Sequence, residues 1–333
     1  MEIEYKIFYK QVAQQELNPA DATDATAEAD TTYNFKHNYT KLLNDYNYNS
    51  AVILRSPNYY ADAIPDNIIN IISQHDVLVI IENCIVKLDN IPINVKLIYI
   101  AANTCEYEYI HPLNNLPLNL EHLLIDARYY IHSLDFLPDT LKTLLLNGDC
   151  DIPLNNLPSR LQYLLVSGRY NEPLYNLPLN LKTLVLSEYY QNPLINLPPG
   201  LKELYVGSDY YLPIENLPDG LEDLTISSQP HTIILSPNLK KFEFGFEFGF
   251  GAYYFVELVD SIEEIRISTG SIQLLDAILE HHYPENLKII KIHPQFVYSD
   301  IDNHKSSYKL QDSDKNILDE IKKNNPTLEI QFV

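Results

Sequence analysis

The sequence predicts an α/β repeat fold, in which short strands of successive coils stack into one parallel sheet. Three observations indicate this fold. A segment of about 20 residues recurs between Leu116 and Ile226. Each copy opens with Leu-Pro and two variable residues, and each continues with Leu-x-x-Leu-x-Leu or a conservative replacement. Because one copy of this length cannot bury its apolar face alone, the copies must stack on one another to form a core.

Spacing within each copy assigns a strand and its core side chains. Positions are counted from the first leucine of Leu-x-x-Leu-x-Leu. Positions 4 and 6 lie on one side of a strand, whose side chains alternate with period two. The pattern is that of a leucine-rich-repeat (LRR) solenoid with its sheet on the concave face. The core residues predicted at position 4 are Leu123, Leu144, Leu164, Leu184, Leu204 and Leu224.

The return path between strands is predicted to contain almost no helix from residue 113 to residue 235. Two prolines per copy, such as Pro173 and Pro178, forbid it, because each fixes φ and lacks an N–H donor. An Asn column at 156, 176, 196 and 216 is expected to satisfy backbone groups of the turning chain. Position 10 is expected to fill the corner of each coil, with its hydroxyl near water. It holds Tyr129, Cys150, Tyr170, Tyr190 and Tyr210.

Outside the central copies, the connections lengthen and become helical. Weaker copies predict an early strand at Leu78 and Ile80 and a last strand at Leu328 to Phe332, and helices are predicted at 64–73, 272–281 and 315–323. We expect an N-terminal cap at 1–50, with a strand in 1–12 and an acidic mobile loop at 20–32. The solenoid is expected at 51–333, with 20-residue coils at 112–235 and longer helical coils at its C-terminal end.

Two copies carry a more specific resemblance. The segments Tyr170-Asn171-Glu172-Pro173-Leu174 and Tyr190-Gln191-Asn192-Pro193-Leu194, each followed by Asn-Leu-Pro one residue later, resemble the FNIP repeat, an LRR variant of amoebae and their giant viruses. The resemblance covers residues 88 to 226. It departs from the family in coil length and in having the position-11 Asn only at Asn171. Bacterial effector LRRs also combine such coils with Leu-Pro, but they normally carry Asn where this chain has Tyr.

Composition narrows the classes of partner. A net charge of −22 over 333 residues argues against nucleic acid and anionic membranes, both of which need basic surface. It permits a basic protein partner. No run of 18 apolar residues and no signal-peptide pattern is present, so we expect a cytoplasmic protein, in the host cytoplasm or a virion if it is viral. Cys84, Cys105 and Cys150 are therefore expected to be reduced.

Residue patterns for catalysis or cofactor binding are missing from the sequence. It contains no metal-spaced Cys/His set, no phosphate-binding glycine loop and no nucleophile elbow. His281 and His282 are adjacent, so on a helix they point in different directions. We therefore predict a protein that is not an enzyme and that needs no cofactor and no metal.

A concave-face stripe is the predicted partner site. Positions 3 and 5 flank the core leucines, and position 5 is apolar in six consecutive copies. At about 4.8 Å between strands, this predicts an exposed apolar stripe about 25 Å long, a typical mark of an interaction site. The sequence thus predicts a protein–protein interaction module; a self-associating structural protein, as a homodimer or virion component, is the alternative. The predicted partner-binding residues are Tyr99, His122, Leu124, Leu145, Tyr163, Leu165, Val185 and Tyr205.

Overall fold

The structure is a computed structural model of residues 1–333. It describes residues 4–9, 50–55, 60–61, 63–74, 77–82, 85–102, 109, 111–227, 232–244, 256–268, 271–293, 296–298, 305–307 and 312–333. The chain divides into two compact units, Met1–Leu181 and Lys182–Val333. The acidic segment 20–32, Cys84, Cys105 and the glycine-interrupted segment 245–255 lie outside the described residues.

Among its described residues, the first unit has a main sheet and one helix, which precedes the third strand of that sheet. The sheet order is β1-β2-β4-β6-β7-β8-β9, with β1 antiparallel to β2 and the following pairs parallel. A small second sheet pairs β3 with β5. The elements are β1 (Glu4–Tyr9), β2 (Ser50–Arg55), β3 (Tyr60–Ala61), α1 (Asp66–Ser73), β4 (Val77–Glu82), β5 (Ile85–Val86), β6 (Leu97–Ala102), β7 (His122–Ala127), β8 (Thr143–Asn147) and β9 (Tyr163–Val166).

In the second unit, the described residues form helices only near the C-terminal end. Its parallel sheet has the order β10-β11-β12-β13-β14-β15-β18, and β16 pairs with β17 in an antiparallel hairpin. The elements are β10 (Thr183–Val185), β11 (Glu203–Val206), β12 (Asp223–Ile226), β13 (Lys241–Phe244), β14 (Glu264–Ser268), α2 (Ile272–His281), β15 (Ile289–His293), β16 (Phe296–Tyr298), β17 (Lys305–Ser307), α3 (Asp312–Asn324) and β18 (Glu329–Phe332).

Equivalent leucines stack in register, as predicted. Leu184 pairs with Leu204, which pairs with Leu224, which pairs with Phe242. All predicted position-4 side chains are at most 2% exposed. The helices at α1, α2 and α3 match the predicted ones to within a few residues, and no helix occurs among the described residues of 113–235. The predicted LRR solenoid with helix-poor central coils is confirmed.

The Leu-Pro dipeptide closes a turn before each strand from β7 to β12. The N–H of Leu181 donates to the carbonyl of Pro178 at 3.0 Å, and Leu221 donates to Pro218 in the same way. Immediately after this turn, one carbonyl serves two donors of the next coil: the oxygen of Lys202 accepts from Glu222 N–H at 2.8 Å and from Asp223 N–H at 3.0 Å. Proline suits the first position of the turn because its missing N–H is not needed there.

The aromatic column at the coil corner differs from the prediction in one coil. The buried residue there is Tyr130, with 0% exposure, while Tyr129 is 41% exposed. The coil from Leu120 to Leu141 has one extra residue. The corner side chain is therefore set by its distance to the following Leu, not to the preceding one. Counted this way, the column consists of Tyr109, Tyr130, Cys150, Tyr170, Tyr190 and Tyr210, all buried.

The hydroxyls of this column do not reach water where the structure defines their partners. Tyr109 donates to the backbone oxygen of Val86 at 3.0 Å, and the N–H of Leu194 donates to the Tyr210 hydroxyl oxygen at 3.3 Å. Each bond joins the ring to the previous coil. The expectation of a hydroxyl near water is wrong for Tyr210, because the preceding return path offers a backbone group that would otherwise be buried without a partner.

Backbone geometry explains two further columns. Asn196 and Asn216 adopt φ of 55° and 56°, the left-handed region that Asn tolerates better than most residues. The side chain of Asn156, in the same column, donates to the Asp135 carboxylate of the previous coil at 2.9 Å. Gly168 also has a positive φ, of 65°, and a Cβ there would lie 2.3 Å from the carbonyl oxygen of Gly148. Close stacking of the coils therefore requires glycine at this point.

Leu184 provides a direct test of the inward and outward assignment. Its side chain is 0% exposed, while that of Val185 is half-buried on the other face of β10. Leu184→Ala should lower the free energy of unfolding by about 2–5 kcal/mol, the usual loss for truncating a buried leucine. Val185→Ala should cost less than about 1 kcal/mol. Urea denaturation of both variants measures the difference, and equal losses would show that the assignment is wrong.

Candidate functional site

The predicted stripe is open only in part. His122, Leu124, Leu145 and Leu165 are 1%, 0%, 0% and 4% exposed, so the predicted exposure is wrong for these four residues. Tyr99, Tyr163, Val185 and Tyr205 are half-exposed, as a contact surface requires. The second set lies partly in each compact unit: Tyr99 and Tyr163 in the first, Val185 and Tyr205 in the second.

Burial on both faces explains the correction. All five side chains of β8 are buried, as are five of the six in β7. Their sequences, Thr-Leu-Leu-Leu-Asn and His-Leu-Leu-Ile-Asp-Ala, run apolar without alternation. Parallel strands that are covered on both faces have such unbroken apolar runs, whereas alternation marks a strand with one wet face. That signal was present in the sequence and identifies this part of the inner face as core.

The open inner face lies on β10 to β13 of the second unit. Exposed or half-exposed residues alternate there with buried ones in every strand. Position 5 runs through Val185, Tyr205, Thr225 and Glu243, which face each other in register on neighbouring strands. The hydroxyl of Tyr205 lies 3.2 Å from the Ser227 hydroxyl, which holds the ring against the sheet. This face is amphipathic, with a ring and a valine beside acidic side chains.

One arginine organises the acidic side chains on this face. Arg266 in β14 reaches back along the sheet and donates to Glu264 at 2.6 Å, to Asp223 at 3.1 Å and to Glu243 at 3.4 Å. Lys291 adds an ion pair with Glu264 at 3.0 Å. Arg266 is not among the predicted site residues. Sequence reasoning did not detect the cluster because its carboxylates come from three different coils.

Burial and charge act in opposite directions on these carboxyl groups. Burial raises the pKa of Asp223 above its ordinary value, although Arg266 counteracts the effect. Burial also acts to raise the pKa of Glu264, but hydrogen bonds from Arg266 and Lys291 outweigh it and the pKa is lowered. The cluster is therefore a group of half-buried carboxylates held by one arginine and one lysine.

A second group of polar side chains lies on the first unit, at the C-terminal ends of β7, β8 and β9. The Asn147 amide donates to Asp126 at 2.9 Å, and the Ser167 hydroxyl donates to the Asn147 side-chain oxygen at 2.8 Å. The Tyr99 hydroxyl donates to the same Asp126 carboxylate at 3.3 Å. These bonds link successive coils at position 7. They fix the Tyr99 ring, so Tyr99 has a structural partner as well as an exposed edge.

Metal binding and membrane insertion require particular arrangements of residues. No group of three or more His, Cys, Asp or Glu side chains among the described residues could hold a metal ion. None of the helices in the described segments is long and apolar enough to cross a membrane. His281 is the last residue of α2. The next residue, His282, places its Nε2 atom 3.0 Å from Oδ1 of Asp260.

Comparison with known proteins supports the fold. No family model matches the chain, and no curated protein matches it. Among solved structures, the chain is similar to CroV588, a giant-virus protein described as a novel circular LRR protein structure. The chain is a leucine-rich-repeat solenoid. The TM-score is 0.52 with 20% identity, over 68% of this chain and 35% of CroV588, so the chain spans about a third of that protein. At this identity the likeness establishes the fold alone.

The buried imidazole of His122 predicts acid sensitivity. Burial lowers its pKa from 6.5 to about 4, although the Glu121 carboxylate acts in the opposite direction. The unfolded chain therefore binds the proton first as the pH falls, so stability is lost progressively from about pH 6.5 towards pH 4. Between pH 7 and pH 5 the free energy of unfolding should fall by about 2 kcal/mol from this group.

His122→Gln provides the control, because glutamine does not titrate. Its stability at pH 7 and at pH 5, measured by chemical denaturation, should differ by about 2 kcal/mol less than that of the native chain. The same pH dependence in both proteins would assign the acid sensitivity to other groups.

Proposed function

We propose that this chain is a non-enzymatic interaction module that binds a protein partner on the concave face of the solenoid. The observation that carries the proposal is the open inner face of β10 to β13, where Val185 and Tyr205 are half-exposed within an otherwise regular sheet. LRR folds commonly present such a face to other proteins, and the fold itself is typically non-enzymatic. Large rigid rings contribute most to such interfaces, so Tyr205 is the expected anchor.

Charge indicates the partner's chemistry. Glu203 is exposed, and Asp223 and Glu243 are half-exposed on the two following strands. The contacts of Arg266 with Asp223 and Glu243 are the type of contact that an arginine from another protein would make. With a net charge of −22, the chain also attracts basic partners over a distance. A basic protein segment with an apolar side chain for the Tyr205 region therefore fits best.

Two further observations support a proposed origin and location for this module. The Tyr-x-x-Pro-Leu segments at Tyr170 and Tyr190 support membership in the FNIP class of repeats. The likeness to a giant-virus protein supports a viral or amoebal source. Such a protein would act in the host cytoplasm or within a virion, bound to a protein partner and not to nucleic acid or membrane. Residues 1–50 would form its cap and 51–333 its repeats.

Replacement of Tyr205 tests the partner site. Tyr205→Ala should weaken partner capture by about 2 kcal/mol, roughly 30-fold in Kd, because it removes the main aromatic anchor. The melting temperature should change little, since the ring is half-exposed. Affinity capture from a host-cell lysate, followed by quantitative mass spectrometry and a binding titration with the captured protein, measures the effect.

Tyr211→Ala is the matched control. Tyr211 is a tyrosine that is more exposed than Tyr205, at 51%, and that lies on the return path and not on the sheet. Partner retention should equal that of the native chain. If Tyr205→Ala instead converts a dimer to a monomer in light scattering, the face serves self-association. If neither capture nor mass responds to Tyr205→Ala, the concave face is not the binding surface.

A further inference from the structure

An open polar recess lies beside the turns that precede the strands of the first unit, away from the inner face described above. Its volume is about 260 Å³. The recess spans the starts of four successive coils. Its lining contains three cationic side chains and one carboxylate, in a chain whose net charge is −22. The lining residues are Lys96, Asn119, Glu121, Thr140, Lys142 and Arg160.

The charges in this recess do not balance. Position 2 of successive coils carries Lys96, Glu121, Lys142 and then Gln162. Glu121 is shared by the two lysines, at 3.4 Å from the Lys96 ammonium and in direct contact with that of Lys142. The next residue of the column, Gln162, is neutral. Among the described residues, Lys142 therefore forms an ion pair with Glu121 and with no second carboxylate. Three positive charges against one negative charge leave a local charge of +2.

Arg160 adds the excess positive charge. It stands just before the first leucine of its coil, where other coils carry Asn, Thr, Ser or Gly. Several of the polar side chains in this column bond to the backbone of the preceding coil, as Asn180 does to the Ser159 carbonyl at 2.8 Å. Arg160 is exposed and forms no ion pair with any acidic side chain in the part of the chain that the structure describes. Its guanidinium group is thus free of the structural role that this column usually has.

We propose that this recess binds a dianionic phosphoryl group. The local charge of +2 balances the charge of about −2 that one such group carries near neutral pH. Arg160 offers paired N–H donors to two phosphoryl oxygens, Lys142 offers an ammonium, and the Asn119 amide supplies a neutral donor. Glu121 stays on Lys96 and limits the affinity by repelling the anion. The Thr140 hydroxyl lies 2.7 Å from the Leu118 carbonyl oxygen and orders the turn instead of contacting the ligand.

Calorimetric titration of the full chain at low ionic strength, in a phosphate-free buffer, tests the proposal. The probes are inorganic phosphate and a short phosphoserine peptide, with the unphosphorylated peptide as blank. Both phosphate-bearing probes should bind with one site per chain. Tighter binding of the peptide would identify a phosphorylated protein as the source, and equal binding would identify free phosphate. Failure of both probes to bind would overturn the proposal.

Charge-neutralising variants locate the site. Lys142→Gln and Arg160→Gln should each weaken binding by at least about fivefold, since each removes a charge-assisted contact. Glu121→Gln should strengthen it, because it removes the opposing carboxylate. A purely structural role of Glu121 would give the opposite result.

Lys202→Gln is the matched control in the second unit. Lys202 occupies the same position 2 and also pairs with a glutamate, Glu222, at 2.6 Å. Lys202→Gln removes the same charge from the chain as Lys142→Gln does. The affinity for the phosphate probes should nevertheless stay within about twofold of the native value. An equal loss in Lys202→Gln and Lys142→Gln, or a loss in Glu121→Gln, would reduce the effect to general electrostatics and overturn the site. None of these variants touches Tyr205, so the result is independent of the proposed protein partner.

Discussion

Each coil must stack on the preceding one in a single register, and the other features of the fold depend on this constraint. In the coils of β7 to β12, the proline carbonyl of Leu-Pro closes a turn that sets the start of the strand. One carbonyl of the preceding coil then accepts two N–H groups from the next coil. A slip by one residue would turn every position-4 leucine outward, because the side chains of a strand alternate. The hydrogen bonds and the buried leucines thus select the same register. Stability then accumulates from contacts between neighbouring coils.

Fixed register has an electrostatic consequence, since it places equivalent side chains side by side. Charges at position 2 would repel one another if they had the same sign. In the second unit the structure places Glu222 between Lys202 and Lys240, at 2.6 and 2.7 Å, and these lysines lower the pKa of Glu222 to about 2. Such exposed pairs contribute little to the free energy of unfolding. Their main effect is to prevent repulsion between like charges that the register places side by side. Where the signs at position 2 stop alternating, unbalanced charge remains on the surface.

Sequence periodicity predicted the LRR fold, the core leucines and the helices, because those depend on contacts between neighbouring coils. It misplaced the corner tyrosine at Tyr129 because the count started from the wrong end of a coil with one extra residue. The error at Leu124 and Leu145 has a different cause. Period two determines which side of the strand a residue occupies, but not whether that side is covered. Coverage depends on contacts distant in sequence, and only the unbroken apolar runs of β7 and β8 indicated it.

Columns in a repeat protein separate structural from functional residues. A position that serves stacking keeps one class of residue, as position 4 keeps leucine, isoleucine or phenylalanine. The two candidate surfaces lie where a column changes type. Position 5 changes from buried leucine to Val185, Tyr205 and then Glu243, and the strand changes from two covered faces to one. The column before the first leucine changes from Asn or Thr to Arg160. A change of residue type without loss of register leaves the fold intact and alters only what the surface presents to a ligand.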